Sequence, residues 1–144
     1  MKHALTSLIG GAVLAGFVTW SAAQTQQPPQ DKPPVICNAG ICRITVKVND
    51  CGAKGGIDVD PLLMSMKRSG GHPRIIEWTI ATPGYVFATP GVWFAPPVPD
   101  FQPLPSGQPN VVRMRNTLQT FGTHYYWLEV ANCIPVDPFI RNDP

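Results

Sequence analysis

The sequence predicts an all-β protein, a single Greek-key β-sandwich with a long proline-rich loop, and three observations predict it. Apolar residues recur with the period of strands, no stretch sustains a helical period, and six or more short candidate strands are separated by Gly, Pro and Asn turn signals. The clearest stretch runs from His72 to Phe94. In it Ile76, Trp78 and Ile80 alternate with Ile75, Glu77 and Thr79, as in a strand with one buried face, and two Thr-Pro-Gly sequences at 82–84 and 89–91 then break the run.

The N-terminus has the three parts of a secretory signal. Lys2 and His3 make a basic start, an apolar run extends from Leu8 to Val18, and Ser21-Ala22-Ala23 offers a small-residue cleavage site before Gln24. The apolar run is shorter than the roughly 20 residues a membrane-spanning helix needs. The expectation is therefore an exported protein, periplasmic or extracellular, with no transmembrane anchor after cleavage. Residues 1–23 are read as signal peptide, 24–34 as a flexible Gln/Pro-rich leader, 35–136 as the sandwich domain and 137–144 as a C-terminal tail. Eleven Lys and Arg face nine Asp and Glu, for a formal net charge of +2. That near balance lacks the basic footprint of a nucleic-acid binder.

Taken in order, the leader from Gln24 to Pro34 contains no large apolar residue and can bury nothing. Between Cys42 and Val48 the residues Cys42, Ile44, Val46 and Val48 oppose Arg43, Thr45 and Lys47, which predicts a half-buried strand ended by Asn49-Asp50. Ile57 to Pro61 reads as a short edge strand. Leu62 to Met66 reads as another, with Leu62, Met64 and Met66 inward, against a competing single helical turn at Pro61 to Met66. After a turn at Ser69-Gly70-Gly71 comes the central strand, followed by two short strands, Tyr85 to Phe87 and Val92 to Phe94. Ala95 to Asn110 carries Pro96, Pro97, Pro99, Pro103, Pro105 and Pro109, and is expected as a surface loop. Val111 to Arg115 is a strand, and so is Thr123 to Ala131, with His124, Tyr126, Leu128 and Val130 on one face and Tyr125, Trp127 and Glu129 on the other.

Four cysteines, Cys37, Cys42, Cys51 and Cys133, form an even set in a chain expected to be exported, which favours two disulfides. Spacing allows three pairings. The strand reading favours Cys51 with Cys133, clipping the first and last strands side by side and parallel, and Cys37 with Cys42 closing a small local loop.

Several of these pieces in series resemble a known group. Asp60-Pro61, the strand Ile76-x-Trp78-x-Ile80, the run Pro83 to Phe87, the strand Tyr126-x-Leu128-x-Val130 and the terminal run Asp137 to Asn142 look like small uncharacterised exported bacterial proteins with a cupredoxin-like (plastocyanin-like) β-sandwich. The resemblance covers most of residues 57–142. Its motifs are core residues and turns, so it implies a cupredoxin-like or immunoglobulin-like sandwich and carries no activity.

A cupredoxin-like fold raises copper first. Blue-copper sites take two His, a Cys and a weak axial Met, whereas no His or Met follows Cys133. A looser copper(I) site drawn from Met64, Met66, His72, Met114 and His124 is the alternative, and would make the protein a copper carrier. Inward Met as core filler and His124 as a core-edge histidine is the simpler account, so no resident cofactor is expected. Asp58 and Asp60 lack the rest of an EF-hand loop, since Pro61 follows and the later ligand positions are missing. Glu77 and Glu129 lie outward with nothing to pair them as glycosidase carboxylates. Ser69-Gly-Gly-His is not a nucleophile elbow, and an enzyme is not expected. What remains is a contact surface. Trp93, Phe94, Tyr125 and Trp127, flanked by Arg113 and Arg115, supply the residue types enriched at interfaces. The reading is a non-catalytic exported binding or structural module of the cell envelope, acting through a protein partner or self-association.

Overall fold

A computed structural model describes residues 33–68 and 72–144. Residues 1–23, expected as a signal peptide, most of 24–34, expected as a leader, and 69–71, expected as a turn, lie outside the described residues. The described chain is all-β, with no helix, and forms ten strands: β1 (Val35–Cys37), β2 (Ile41–Val48), β3 (Ile57–Asp60), β4 (Leu63–Lys67), β5 (Arg74–Ile80), β6 (Phe87–Phe94), β7 (Phe101–Leu104), β8 (Val111–Asn116), β9 (Gly122–Val130) and β10 (Phe139–Asp143). They assemble into two five-stranded sheets, β1-β4-β10-β9-β6 and β3-β2-β5-β8-β7, that enclose one apolar core in a sandwich-like arrangement. Both sheets are mixed. β2 pairs β5 in parallel, β4 pairs both β1 and β10 in parallel, and the other pairs are antiparallel.

The core follows from the alternation. Ile76, Trp78 and Ile80 of β5 are buried, as are Cys42, Ile44, Val46 and Val48 of β2 and Tyr126, Leu128 and Val130 of β9. These three strands supply half of the core cluster, each through every second residue. Trp78 and Tyr126 meet in the middle from opposite sheets, with ring centroids 5.4 Å apart in an edge-to-face arrangement. The Trp78 Nε1–H donates to the Tyr126 hydroxyl at 3.0 Å, so the indole's polar atom enters the core without losing its partner.

A second polar link crosses the core. Asn116 of β8 donates from Nδ2 to Asn142 Oδ1 at 2.8 Å, and Asn142 Nδ2 donates to Asn116 Oδ1 and to the Thr120 carbonyl at 3.3 and 3.0 Å. The Leu118 backbone N–H also donates to Asn116 Oδ1. Both amides are essentially inaccessible to water, and each keeps partners on both its donor and acceptor sides.

Several expectations change. The segment 137–144, expected as a tail, contains β10, which lies between β4 and β9 and buries Phe139, Ile140 and Asn142. Five residues suffice because Phe139 and Ile140 each find a covered face, and nothing in so short a run shows that in the sequence. The proline-rich segment 95–110 is not all loop. Phe101–Leu104 is an edge strand in which Pro103 faces Met114, a position where a missing N–H breaks no ladder on the open side. The two short strands expected at 85–87 and 92–94 are one strand, β6, whose register shifts between Phe87 and Val92. The second Thr-Pro-Gly is therefore a bulge within the strand and not its end. Leu62 precedes β4 and is 40% exposed, while Met64 and Met66 point inward as expected.

Both expected disulfides are formed, Cys37–Cys42 and Cys51–Cys133. Their architecture differs from the expectation. β2 and β9 lie in different sheets, so Cys51–Cys133 does not clip adjacent strands; it ties the turn after β2 to the turn after β9 across the core. Cys37–Cys42 also crosses, from the end of β1 in one sheet to the start of β2 in the other. β2 is thus stapled to the opposite sheet at both of its ends.

Candidate binding face

On β9 the inward set Tyr126, Leu128 and Val130 fixes Tyr125, Trp127 and Glu129 to the outer face of the first sheet. Trp127 sits in register with Trp93 on β6, and the two indoles stack at 5.7 Å with 20° between their planes. On the other side of β9, Tyr125 is in register with Phe139 of β10, which is in turn in register with Leu63 of β4. The Tyr125 and Phe139 rings meet edge-on at 4.7 Å. Phe139 is buried beneath this cover although it lies outside the main core, whereas Tyr125 and Trp127 remain 37% and 38% exposed. The result is an aromatic surface spanning β10, β9 and β6 at one end of the sheet. The other end of the same face is polar, with Ser65, Arg141 and Thr123 in one row and Lys67 beside Asp143 in the next.

Asp143 accepts from Ser65 Oγ and pairs with Arg141 at 2.9 Å. Burial works to raise its pKa, but the Ser65 hydrogen bond and the Arg141 and Lys67 charges outweigh that and hold it below the ordinary carboxylate value. Asp143 therefore stays a carboxylate at neutral pH.

The four expected contact residues do not stay together. Trp93, Trp127 and Tyr125 share the outer face, but Phe94 turns inward. It stacks on Phe101 at 3.9 Å and is 8% exposed, because the proline-rich segment returns as β7 and covers it. Arg113 and Arg115 do not flank the aromatics either. They lie on the outer face of the second sheet, where Arg113 Nε donates to Glu77 at 2.7 Å and Arg43 approaches the same carboxylate at 3.5 Å. Glu77, expected as a solvated surface carboxylate, is held between two arginines across the register β2-β5-β8. Phe139 is the member of the face that the sequence reading missed. The adjacent apolar pair Phe139-Ile140 breaks the one-face alternation by which the other strands were found, so it carried no strand signal of its own.

The candidate copper ligands are dispersed. Met64 and Met66 are buried among the core side chains, and the Met66 thioether lies 3.8 Å from Asn116 Nδ2. His124 sits at the core edge, its ring edge-on to Phe101 and its Nε2 3.2 Å from the Thr120 carbonyl. Ile140 lies between His124 and Met64 in the register, which puts them two strand spacings apart, about 10 Å. His72 is exposed ahead of β5. No group of three or more His, Cys, Asp or Glu among the described residues is arranged to hold a metal ion.

Fold and surface together define a disulfide-stapled, two-sheet β protein with one exposed aromatic face. Two disulfides are what an oxidising, non-cytoplasmic environment sustains. No helix among the described residues is long and apolar enough to cross a membrane. A scan against protein-family models matches no family, and a search of curated proteins finds no matching relative.

Proposed function

We propose that this protein is an exported, non-catalytic binding module of the cell envelope, and that it holds a protein partner, or a second copy of itself, through the outer face of its first sheet. The observation that carries this reading is the exposed Trp127 and Tyr125 beside Trp93. Large aromatic rings half open to water, set on a rigid sheet and beside a charged region, are the chemistry of a contact hot spot. The signal-like N-terminus and the two disulfides support export. The two mixed sheets, together with the resemblance of residues 57–142, support the finer description as a Greek-key sandwich of cupredoxin-like kind. The proposal gives the fold the task of presenting a face.

The test is a mass and capture measurement on the wild type and Trp127→Ala. Sedimentation should show a mass that rises with concentration, or a bait on resin should retain an envelope protein, and Trp127→Ala should remove whichever is seen while leaving thermal unfolding nearly unchanged. A strict monomer that retains nothing removes the support for the reading.

A further inference from the structure

The outer face of the first sheet carries opposite charges at its two ends, with the aromatic rows between them. β9 sets the scale, its outward residues Thr123, Tyr125, Trp127 and Glu129 spanning about 20 Å. At one end Arg141 of β10 stands level with Thr123, and Lys67 of β4 stands beside Asp143 in the next row. At the other end stands Glu129. Asp137 joins it, because Val136 and Phe139 keep one register against Leu128 and Tyr125, which sets Asp137 level with Trp127 and on the outer side. Arg141 and Lys67 against Asp143 leave one net positive charge at the first end, while Glu129 and Asp137 make the second end negative. The turn tied by Cys51–Cys133 beyond Glu129 adds Asp50 and Lys54, which cancel.

A two-fold dimer joins one patch to itself, so this polarity decides how two copies can meet. With the axis along β9, each row meets its own copy and Glu129 comes level with the partner's Glu129, like charge against like. With the axis across the strands at the level of Tyr126, the rows exchange. Tyr126 is three residues from both Thr123 and Glu129, so Trp127 comes over the partner's Tyr125 and Glu129 over the partner's Thr123. The partner's Arg141 then arrives between Glu129, one strand spacing to the side, and Asp137, two residues along, about 5 and 7 Å away in the plane of the sheet.

We propose that this face pairs with the same face of a second copy, strands antiparallel, with the aromatic rows seated on each other and the acidic end of each copy against the basic end of the other. The dimer rests on this face being the contact surface proposed above, and it makes the partner the chain itself. From β4 to β6 is three strand spacings, so the patch measures about 15 Å by 20 Å. That is small among specific interfaces, and the dimer is weak and reversible.

The experiment is sedimentation equilibrium of the wild type, Glu129→Arg, Thr123→Glu and an equimolar mixture of the two variants, with circular dichroism to match their folds. Thr123 is exposed and Glu129 half-buried on the outer face, so both substitutions leave the core in place. The wild-type mass should rise with concentration. Each variant alone sets like charges together at both symmetric contacts, and should raise the dimer dissociation constant roughly tenfold. In the mixture the new arginine of one variant meets the new glutamate of the other, and the native Glu129 of the second meets the native Arg141 of the first. The mixture should therefore recover wild-type association. A wild type that stays monomeric at every concentration would overturn the proposal, and so would a mixture that associates no more tightly than its components. A monomeric wild type that still retains an envelope protein through Trp127 leaves the binding reading standing. Association lost in Trp127→Ala but unmoved by either charge variant also leaves that reading and removes this arrangement.

Discussion

Asp100 shows how one polar side chain in a proline-rich segment can hold a loop. Its carboxylate is buried at the start of β7 and accepts from the Thr117 hydroxyl at 2.5 Å and from the backbone N–H groups of Gln119 and Thr120 at 3.1 and 2.6 Å. Burial by itself raises its pKa, but the hydrogen bonds from Thr117, Thr120 and Gln119 together outweigh it and set the folded value below the ordinary 3.8. A folded pKa below the unfolded one means that the stabilisation is fully present above about pH 4 and is lost as pH falls through the folded value. Asp100→Asn cannot accept the same set of bonds. It should cost about 1–3 kcal/mol at pH 7 in urea unfolding, and its disadvantage against the wild type should shrink as the solution is acidified below the ordinary carboxylate pKa. A constant difference across that range would show that the charge plays no part.

At the scale of elements, β6 depends on Gly91. Its φ is +80°, and a Cβ there would stand 2.9 Å from Phe87 Cβ and 3.1 Å from Val112 Cγ2, inside ordinary contact distance. Gly91→Ala should therefore lose about 1–3 kcal/mol, from left-handed backbone strain together with crowding at the bulge, read as a lowered denaturation midpoint. Gly84, also at positive φ but with open space around it, is the natural control and should lose less. The C-terminal element makes a sharper prediction. Ending the chain after Val136 removes β10 and leaves β4 and β9 without their shared neighbour. The truncated chain should lose its cooperative thermal transition in near-ultraviolet circular dichroism, where a true tail would leave it intact. These two elements show where the sequence was legible. In β2, β5 and β9 the strict alternation of one buried and one open face wrote the core directly into the letters. β10 has both of its faces covered, β6 carries its bulge in a Thr-Pro-Gly that reads as a turn, and β7 has a proline, Pro103, that an edge position tolerates. For these the deciding fact is the neighbour across the sheet, which no local period records. The binding face divides in the same way. Trp127 and Tyr125 followed from alternation on β9, while the burial of Phe94 and the contribution of Phe139 depend on β7 and β10.

For the whole molecule, the two disulfides act on one strand, and their different loop lengths separate their effects. Cys37–Cys42 spans 5 residues and Cys51–Cys133 spans 82. In the loop-entropy account the short link restricts the unfolded chain by about 2 kcal/mol and the long one by about 4.5 kcal/mol. Both cross between the sheets, so each also keeps one end of β2 against β1 or the β9 turn. The core itself, centred on Trp78 and Tyr126 and the Asn116–Asn142 pair, does not touch the long bridge through any of its hydrogen bonds. Removing Cys51–Cys133 as Cys51→Ala with Cys133→Ala should therefore leave the native near-ultraviolet spectrum in place while lowering unfolding free energy about twice as much as Cys37→Ala with Cys42→Ala. Denaturant titrations of both double variants, read at Trp78, measure the comparison. Equal losses would mean that the bridges act by holding the sheet ends in the folded state, independent of how much chain they close.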